Sequence, residues 1–375
     1  MKNVKILHTA DIHIGAAESF LGNESLKRRF ENLLTFEKII DLGIERNVDI
    51  IAIAGDLFDS NNVEYRFIDA VFEKIAGSKI PVIICAGNHD PLNAESPFLN
   101  RELPENLYVL GAEDECITFE DISLKCYGRS FTDVYLKGKE RFSLKTDENY
   151  INLLVQHGEL KSDLSSDYNS ITPNFVKFSG MDYIALGHVH KRTPIGKIDN
   201  THFAYCGCPE GQGFDELDDK GVYIGEIGKG ICDLIFIPIS RRKHIHHKTD
   251  ITDILSNEEI CAKIISELSL EYGENFGNNL YKIELTGKIL PDTRIIKPEI
   301  LSRLEDTLYF VKLKDSTELQ VDFIALAKEP SLKGIFVKRM LEKLEVANEN
   351  EKPLYKKALD LGLKAFAGEV KYDED

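Results

Sequence analysis

Between residues 4 and 86 the chain alternates short apolar runs with longer amphipathic stretches, and this order constrains the fold more than any other feature. Residues 4–8 (VKILH), 49–54 (DIIAIA) and 81–86 (PVIICA) read as buried strands. Residues 27–46 and 63–76 read as helices. The first carries Phe30, Leu33, Leu34, Ile39, Ile40 and Leu42 among its apolar positions. A β-α-β-α-β order implies parallel strands joined by right-handed crossovers.

After residue 105 shorter strands follow, near 122–127, 151–156, 183–187, 203–206, 222–227 and 232–237, with few long helices between them. They read as an added sheet. The expected fold is α/β in this half and α+β overall: a layered β-sandwich flanked by helices. A break follows Pro238, and a separate α+β pattern lies beyond it. It offers helices at 257–272 and 298–304, strands at 280–285 and 308–313, and amphipathic helices at 331–344 and 354–366. The expected division is 1–240, a smaller capping domain at 241–330, and C-terminal helices at 331–375.

A length of 375 residues suggests two or three domains at roughly 150 residues each. A hydrophobic fraction of 43% rules out wholesale disorder. The seven cysteines are scattered, with no CxxC pair, and read as reduced buried thiols. A strand pattern begins almost at once, with no signal-peptide run before it and no apolar stretch of membrane-spanning length. A soluble, cytoplasmic protein with no membrane association is expected. The net charge is −17, which argues against a chain coated with basic charge for nucleic acid.

Polar clusters follow the apolar runs. Asp11-Ile12-His13 comes after the first strand, and alternation along an extended chain would put its carboxylate and imidazole on one side. Gly55-Asp56-Leu57-Phe58-Asp59 follows the second and Gly87-Asn88-His89-Asp90 the third. His157 follows a fourth run, and Gly187-His188-Val189-His190 a fifth. Each alone reads as a cap, a turn or a surface histidine. Together they sit where α/β sheets build sites, outside the carboxyl ends of strands. Asp11, His13, Asp56, Asn88, His157, His188 and His190 offer enough nitrogen and oxygen for two divalent metals. Imidazole mixed with carboxylate suits Mn²⁺, Fe²⁺ or Zn²⁺ better than an all-oxygen Ca²⁺ cage. Asp56 is the natural bridge. Asn88 offers a neutral oxygen, His89 a proton donor, and Asp90 a carboxylate able to orient a histidine.

The set D-x-H, G-D-x-x-D, G-N-H-D, a lone His and G-H-x-H resembles the calcineurin-like metallophosphoesterase superfamily, in order and rough spacing across residues 8–190. The opening ILHTADIHIG, AGDLFDS and the region after residue 240 narrow the resemblance to the SbcD and Mre-eleven DNA-repair nucleases. The stretch from Cys206 through Gly207, Cys208, Pro209, Glu210 and Gly211 to Glu216, followed by Lys220-Gly221-Val222-Tyr223, is most similar to the bacterial YhaO-like branch.

The resemblance implies one metal, Mn²⁺ first and Fe²⁺, Zn²⁺ or Mg²⁺ as alternatives, on Asp11, His13, Asp56 and His190. A second would sit on Asp56, Asn88, His157 and His188. His89 would stabilise the transition state or protonate the leaving oxygen, with Asp90 holding its ring. Asp59 stands where many archaeal and eukaryotic members carry a histidine, so no second catalytic histidine is carried over.

The expected activity is two-metal hydrolysis of DNA phosphodiesters in double-strand-break repair. A small-molecule phosphodiesterase or phosphoprotein phosphatase is one alternative. A non-catalytic partner-binding subunit with a vestigial site is another. The basic run Arg241-Arg242-Lys243-His244-Ile245-His246-His247-Lys248 offers Arg241, Arg242, Lys243 and Lys248 as candidate DNA contacts. Its bland reading is a solvated linker. Lys27-Arg28-Arg29 and Lys191-Arg192 are weaker candidates, because a charge cluster is usually a wet face. The resemblance also implies an SbcC-like coiled-coil ATPase on the C-terminal helices, and a homodimer.

Overall fold

A computed structural model describes residues 2–137, 145–290, 293–320 and 322–366. The chain divides into two compact units, Met1–His244 and Ile245–Asp375.

In chain order the first unit carries β1 (Val4–Thr9), α1 (Ser25–Glu45), β2 (Ile50–Ile53), α2 (Tyr65–Ser78), β3 (Val82–Ile84), α3 (Pro97–Asn100), β4 (Leu107–Val109), β5 (Glu115–Phe119), β6 (Leu124–Gly128), β7 (Ile151–His157), β8 (Glu159–Leu160), β9 (Ser170–Ile171), α4 (Pro173–Phe178), β10 (Tyr183–Gly187), β11 (Gly196–Ile198), β12 (Thr201–Tyr205), β13 (Gly221–Gly228) and β14 (Ile231–Pro238). One six-stranded sheet runs β14-β13-β1-β2-β3-β4 and the other β11-β12-β10-β7-β6-β5. β1, β2, β3 and β4 pair in parallel, as the β-α-β-α-β order requires. In the second sheet β6, β7 and β10 are also parallel. The expected α/β sandwich flanked by helices is the fold observed.

Period-two alternation sorts the strand side chains between cores. Leu7, Ile51, Ile53, Val82 and Ile84 join Phe36, Ile39, Phe67 and Val71 of α1 and α2. Their neighbours Ile6, Ile50, Ala52 and Ile83 pack with Leu153, Val155, Tyr183 and Ala185 of the other sheet. Leu154, Ile184 and Leu186 face outward and pack with Val176 of α4. The result is helix, sheet, sheet, helix. A polar ring lies in the inter-sheet layer: His8 meets the Tyr183 hydroxyl at 3.0 Å and the Leu186 carbonyl at 3.2 Å. Burial pushes its pKa down to about 3, so it stays neutral there.

Two details differ from the sequence expectation. α1 turns Leu33, Phe36, Ile39 and Ile40 inward but leaves Phe30 and Leu34 exposed. The basic run, offered as DNA contacts with a solvated linker as the bland alternative, enters a strand, β15 (His244–Asp250).

The second unit continues with α5 (Asn257–Tyr272), β16 (Leu280–Thr286), β17 (Lys288–Ile289), α6 (Lys297–Glu305), β18 (Phe310–Asp315), β19 (Glu318–Leu319), α7 (Phe323–Leu326), α8 (Leu332–Val346) and α9 (Lys352–Phe366). A three-stranded sheet runs β15-β16-β18. Ser256 and Glu259 close a capping box that starts α5. Ile260, Ile264 and Leu268 of α5 pack with Ile283, Leu285, Ile300 and Leu304. A separate cluster of Leu326, Val337, Met340, Leu359 and Leu363 joins α7, α8 and α9. Leu332, Ile335, Val346 and Leu354 stay exposed. Among the described residues no helix is long and apolar enough to cross a membrane.

Candidate metal centre

The carboxyl ends of β1, β2, β3, β7 and β10 bring their following residues to one place. β1 stops at Thr9. Asp11 and His13 then adopt φ of 52° and 50°, and Asp56 adopts 50° after β2. These are left-handed conformations, so alternation along an extended chain is the wrong reason for Asp11 and His13 to converge. A turn aims them instead. Its amides are held, with Asp11 N–H donating to the Gly55 carbonyl at 3.0 Å and Ile12 and His13 N–H to the Asp56 carbonyl at 2.9 and 3.0 Å.

Glycines make the room. A Cβ at Gly55 would enter the His157 ring, and one at Gly87 would strike the Asp56 carboxylate. At Gly187 it would run into the Ala54 carbonyl. The glycine before Asp56, before Asn88 and before His188 is therefore a clearance needed by another motif.

All the expected donors are brought together. Asp11, Asp56 and His157 form one buried group, and Asp11, His13 and His190 another, with ligand atoms of each group within 4.8 Å of one another. Asn88 Oδ1 lies 2.9 Å from His157 Nε2 and 3.1 Å from His188 Nδ1. Asp56 Oδ2 is 3.3 Å from His157 Nε2 and 3.8 Å from His13 Nε2. The Asp11 carboxylate accepts from the His188 N–H at 2.9 Å, and the Asp56 carboxylate from the His89 N–H at 2.9 Å.

The placement of protons on these rings tests whether metal fits. His190 Nδ1 is 2.6 Å from Glu216 Oε1, and an ionised carboxylate can only accept. His13 Nδ1 is 3.2 Å from Asp59 Oδ1. In its neutral form each ring then carries its proton on Nδ1 and a lone pair on Nε2. Those two Nε2 atoms face each other at 3.1 Å. His157 Nδ1 donates to the Ala54 carbonyl at 2.9 Å, which aims its Nε2 lone pair at the Asn88 and Asp56 oxygens. Such facing lone pairs repel unless a proton or a metal cation sits among them. The donor set therefore fits a cation on each side, with Asp56 reaching both.

Burial alone would pull His157 down, yet Asp56 and Asp11 outweigh it and push its pKa up to about 9, so without a metal a proton takes the Nε2 position that an ion would occupy, and metal binding must displace it. Burial works to raise the Asp56 carboxyl, but His157 and His13 hold it below the usual carboxylate range. Burial, with His157 alongside, lowers His188 to about 4 and leaves it neutral, as a metal ligand must be.

His89 sits at the edge of the pocket with its side chain 45% exposed, and its ring meets that of His13 edge-on at 4.6 Å. Asp90 does not hold this ring, contrary to expectation. Its carboxylate is buried and accepts from the N–H groups of Gly87, Leu57 and Phe58 at 2.7, 2.8 and 3.1 Å. It ties the β2 and β3 turns together and has no access to a substrate. The group beside His89 is Asp59, whose carbonyl takes the Nδ1 proton at 3.1 Å.

The basic run departs further from expectation. Arg242 is tucked against Glu31, its Nε 2.8 Å from Oε2. Lys243 pairs with Asp219 at 2.6 Å and Lys248 with Glu284 at 3.1 Å. The Arg241 N–H is bonded to Glu210, while its side chain stays exposed. Arg242 is thus structural, while Arg241, Lys243 and Lys248 remain at the surface. Arg28, read as part of a wet face, is 1% exposed and held by Glu18, Glu31 and Glu210 at 2.9, 3.0 and 3.3 Å. Lys191 lies 4.0 Å from Asp218, and Arg192 stacks over Phe236.

Sequence reasoning missed Glu216 and the Arg28 network. Glu216 falls inside the stretch that carried the narrower resemblance, yet it stands among Asp215, Asp218 and Asp219 with no spacing to single it out. The seven cysteines are free. Cys208 lies within a group with His190 and Glu216, but burial raises its thiol far above the usual value, so it donates to Glu216 at 3.3 Å.

Residues 4–192 match the calcineurin-like phosphoesterase family. The chain is 28% identical over 247 residues to a metallophosphoesterase, YhaO, of Bacillus subtilis, covering 61% of this chain and 59% of that protein. It is 27% identical over 256 residues to the DNA double-strand break repair protein Mre11 of Methanopyrus kandleri, covering 60% and 55%. The Mre11 protein of Saccharolobus solfataricus is 24% identical over 365 residues, covering 93% and 92%. The chain thus spans less than two thirds of the first two relatives. A dimetal phosphatase structure from Danio rerio aligns with a TM-score of 0.39 and 10% identity, covering 63% of this chain and 99% of that one, too weak a likeness to add to the family match.

Proposed function

This chain belongs to the calcineurin-like phosphoesterase family, a family of metal-dependent phosphoester hydrolases, and from that premise we propose that it is a Mn²⁺-dependent DNA nuclease. The observation that carries the hydrolytic reading is the pair of facing Nε2 atoms of His13 and His190, with Asp56 Oδ2 within reach of both His13 and His157. The choice of DNA is supported by the names of the Mre11 relatives, one of which aligns over 93% of this chain.

Asp11, His13, Asp56 and His190 would hold one ion, and Asp56, Asn88, His157 and His188 the other. Held by these residues, the ions would supply charge neutralisation for a phosphoryl group and activation of a water. The protein supplies the rest. Left-handed turns aim Asp11, His13 and Asp56 inward before substrate arrives, so little reorganisation is left to the reaction. The Ala54 and Asp59 carbonyls set the tautomers of His157 and His89. With Nδ1 donating to the Asp59 carbonyl, the imidazolium form of His89 carries its second proton on Nε2, which it can pass to the leaving-group oxygen as a general acid.

Residues 241–330 would cap the catalytic part. The exposed Leu332, Ile335 and Leu354 on α8 and α9 would receive a coiled-coil ATPase of the SbcC type. A homodimer and a cytoplasmic setting are part of the same reading.

The test is cleavage of single- and double-stranded DNA with Mn²⁺, Mg²⁺ or a chelator. Cleavage with Mn²⁺ is expected, abolished by chelation and by Asp56→Asn. Equal degradation by wild type and Asp56→Asn would sink the nuclease reading. Hydrolysis of a small diester without DNA cleavage would move the substrate to small molecules.

A further inference from the structure

The two sides of the donor set are held by different means. His157 is turned by main chain, the Ala54 carbonyl at the end of β2. His190 is turned by a side chain, Glu216. Residues 206–220 bring that carboxylate back across His190 and grip the residue at several points. The Cys208 N–H donates to the His190 carbonyl at 3.3 Å, and Lys220 Nζ donates to the same oxygen at 3.0 Å. Gly207, at φ 73°, passes so near the His190 carbonyl and the Arg192 N–H that a Cβ would come within 2.8 Å of each.

Glu216 itself is held firmly. Its Oε2 accepts from the Gln212 N–H at 3.0 Å and the Cys208 thiol at 3.3 Å, and lies 3.7 Å from the buried Lys220 Nζ. These contacts leave Oε1 for the Nδ1 proton of His190. An ionised carboxylate accepting from a ligand imidazole orients the ring and raises its basicity, and it does so more strongly than a neutral carbonyl.

We propose that Glu216 is a positioning residue for His190, so that residues 206–220 set the affinity of the ion on the His13–His190 side separately from the ion on the His157–His188 side. The inference rests on the two-metal reading of the pocket and is independent of DNA as substrate.

Mn²⁺ titration of the full chain tests it, by equilibrium dialysis together with electron paramagnetic resonance. The resonance separates an exchange-coupled pair from an isolated ion. Wild type is expected to take up two ions and show the coupled signal. Glu216→Gln keeps the shape of the side chain but loses its charge. It is expected to bind one ion as wild type does and the second about 10–100-fold more weakly, with an isolated-ion signal between the two steps. Asp218→Asn removes an exposed carboxylate from the same stretch, leaves the Glu216–His190 contact in place and should match wild type. If Glu216→Gln fails to fold, Glu216→Asp withdraws the contact while keeping the charge, and the same stepwise loss is expected. Two ions bound at wild-type affinity in the Glu216 variant overturn the proposal, and so does equal weakening of both. Fewer than two ions on the wild-type chain would instead overturn the two-metal reading itself.

Discussion

The two units treat charge in opposite ways. The first buries Asp11, His13, Asp56, Asp90, His157, Arg28 and Glu210. In the second, no charged side chain is buried among the described residues, and its ion pairs, such as Lys248–Glu284 and Lys352–Glu349, lie outside its cores. Beside those surface charges the second unit also exposes apolar side chains, Leu332, Ile335, Val346 and Leu354 among them. Burying an ionisable group is expensive unless it is paired or holds a metal. Chemistry and a tightly paired structural network therefore account for the charge inside the first unit. Packing and surface contact account for the architecture of the other.

The largest expected effect breaks the first unit's chemistry and leaves its structure. His89→Leu should lower turnover by about 10²–10⁴-fold while both Mn²⁺ ions remain bound. Metal analysis beside a kinetic assay checks it, and loss of an ion would make His89 a ligand. Arg28→Met tests the structural network. Stripping three carboxylates of their buried partner should cost about 3–5 kcal/mol of stability in a urea titration, with metal stoichiometry unchanged. Weaker DNA binding without loss of stability would return Arg28 to the wet face first expected of it.

Acid gives the next effect. His8 titrates near 6.5 when unfolded but only near 3 when folded. Below pH 6.5 the unfolded chain takes a proton that the folded one refuses, so stability falls as pH drops through that window and levels off near 3. The slope is about 1.4 kcal/mol per pH unit for this one group. Urea midpoints of wild type and His8→Phe, compared between about pH 7.5 and 4.5, should diverge by that slope. Parallel curves would refute it. The smallest effect belongs to the second unit. Leu332→Asp, on an exposed face of α8, should change stability by less than about 0.5 kcal/mol and spare diester hydrolysis. If that face docks an ATPase partner, a pull-down should nonetheless lose it.

These contrasts also explain what could be read before the structure. The β-α-β-α-β order and the sandwich were legible because strand alternation is a local signal, as Ile50 and Ile51 facing different cores illustrate. The donor residues were legible because each follows closely on the end of a strand, and Asp56, Asn88, His157 and His188 also stand beside a glycine. Asp90 was misread because its neighbour in sequence, His89, is not its neighbour in space. Arg28 and Arg242 were hidden for a related reason. A charge that reads as solvated in sequence is recognised as buried only when a partner about 180 residues away, such as Glu210 for Arg28, arrives beside it.

The left-handed backbone at His13 has one more consequence. That conformation costs roughly 1–2 kcal/mol at a residue with a Cβ, and glycine would relieve it. Selection for thermal stability alone would therefore favour erasing the histidine. Its presence is a preference the folded chain does not itself express, and in a population of variants the drift toward sturdier proteins and the drift toward inactive ones would run in the same direction at this position.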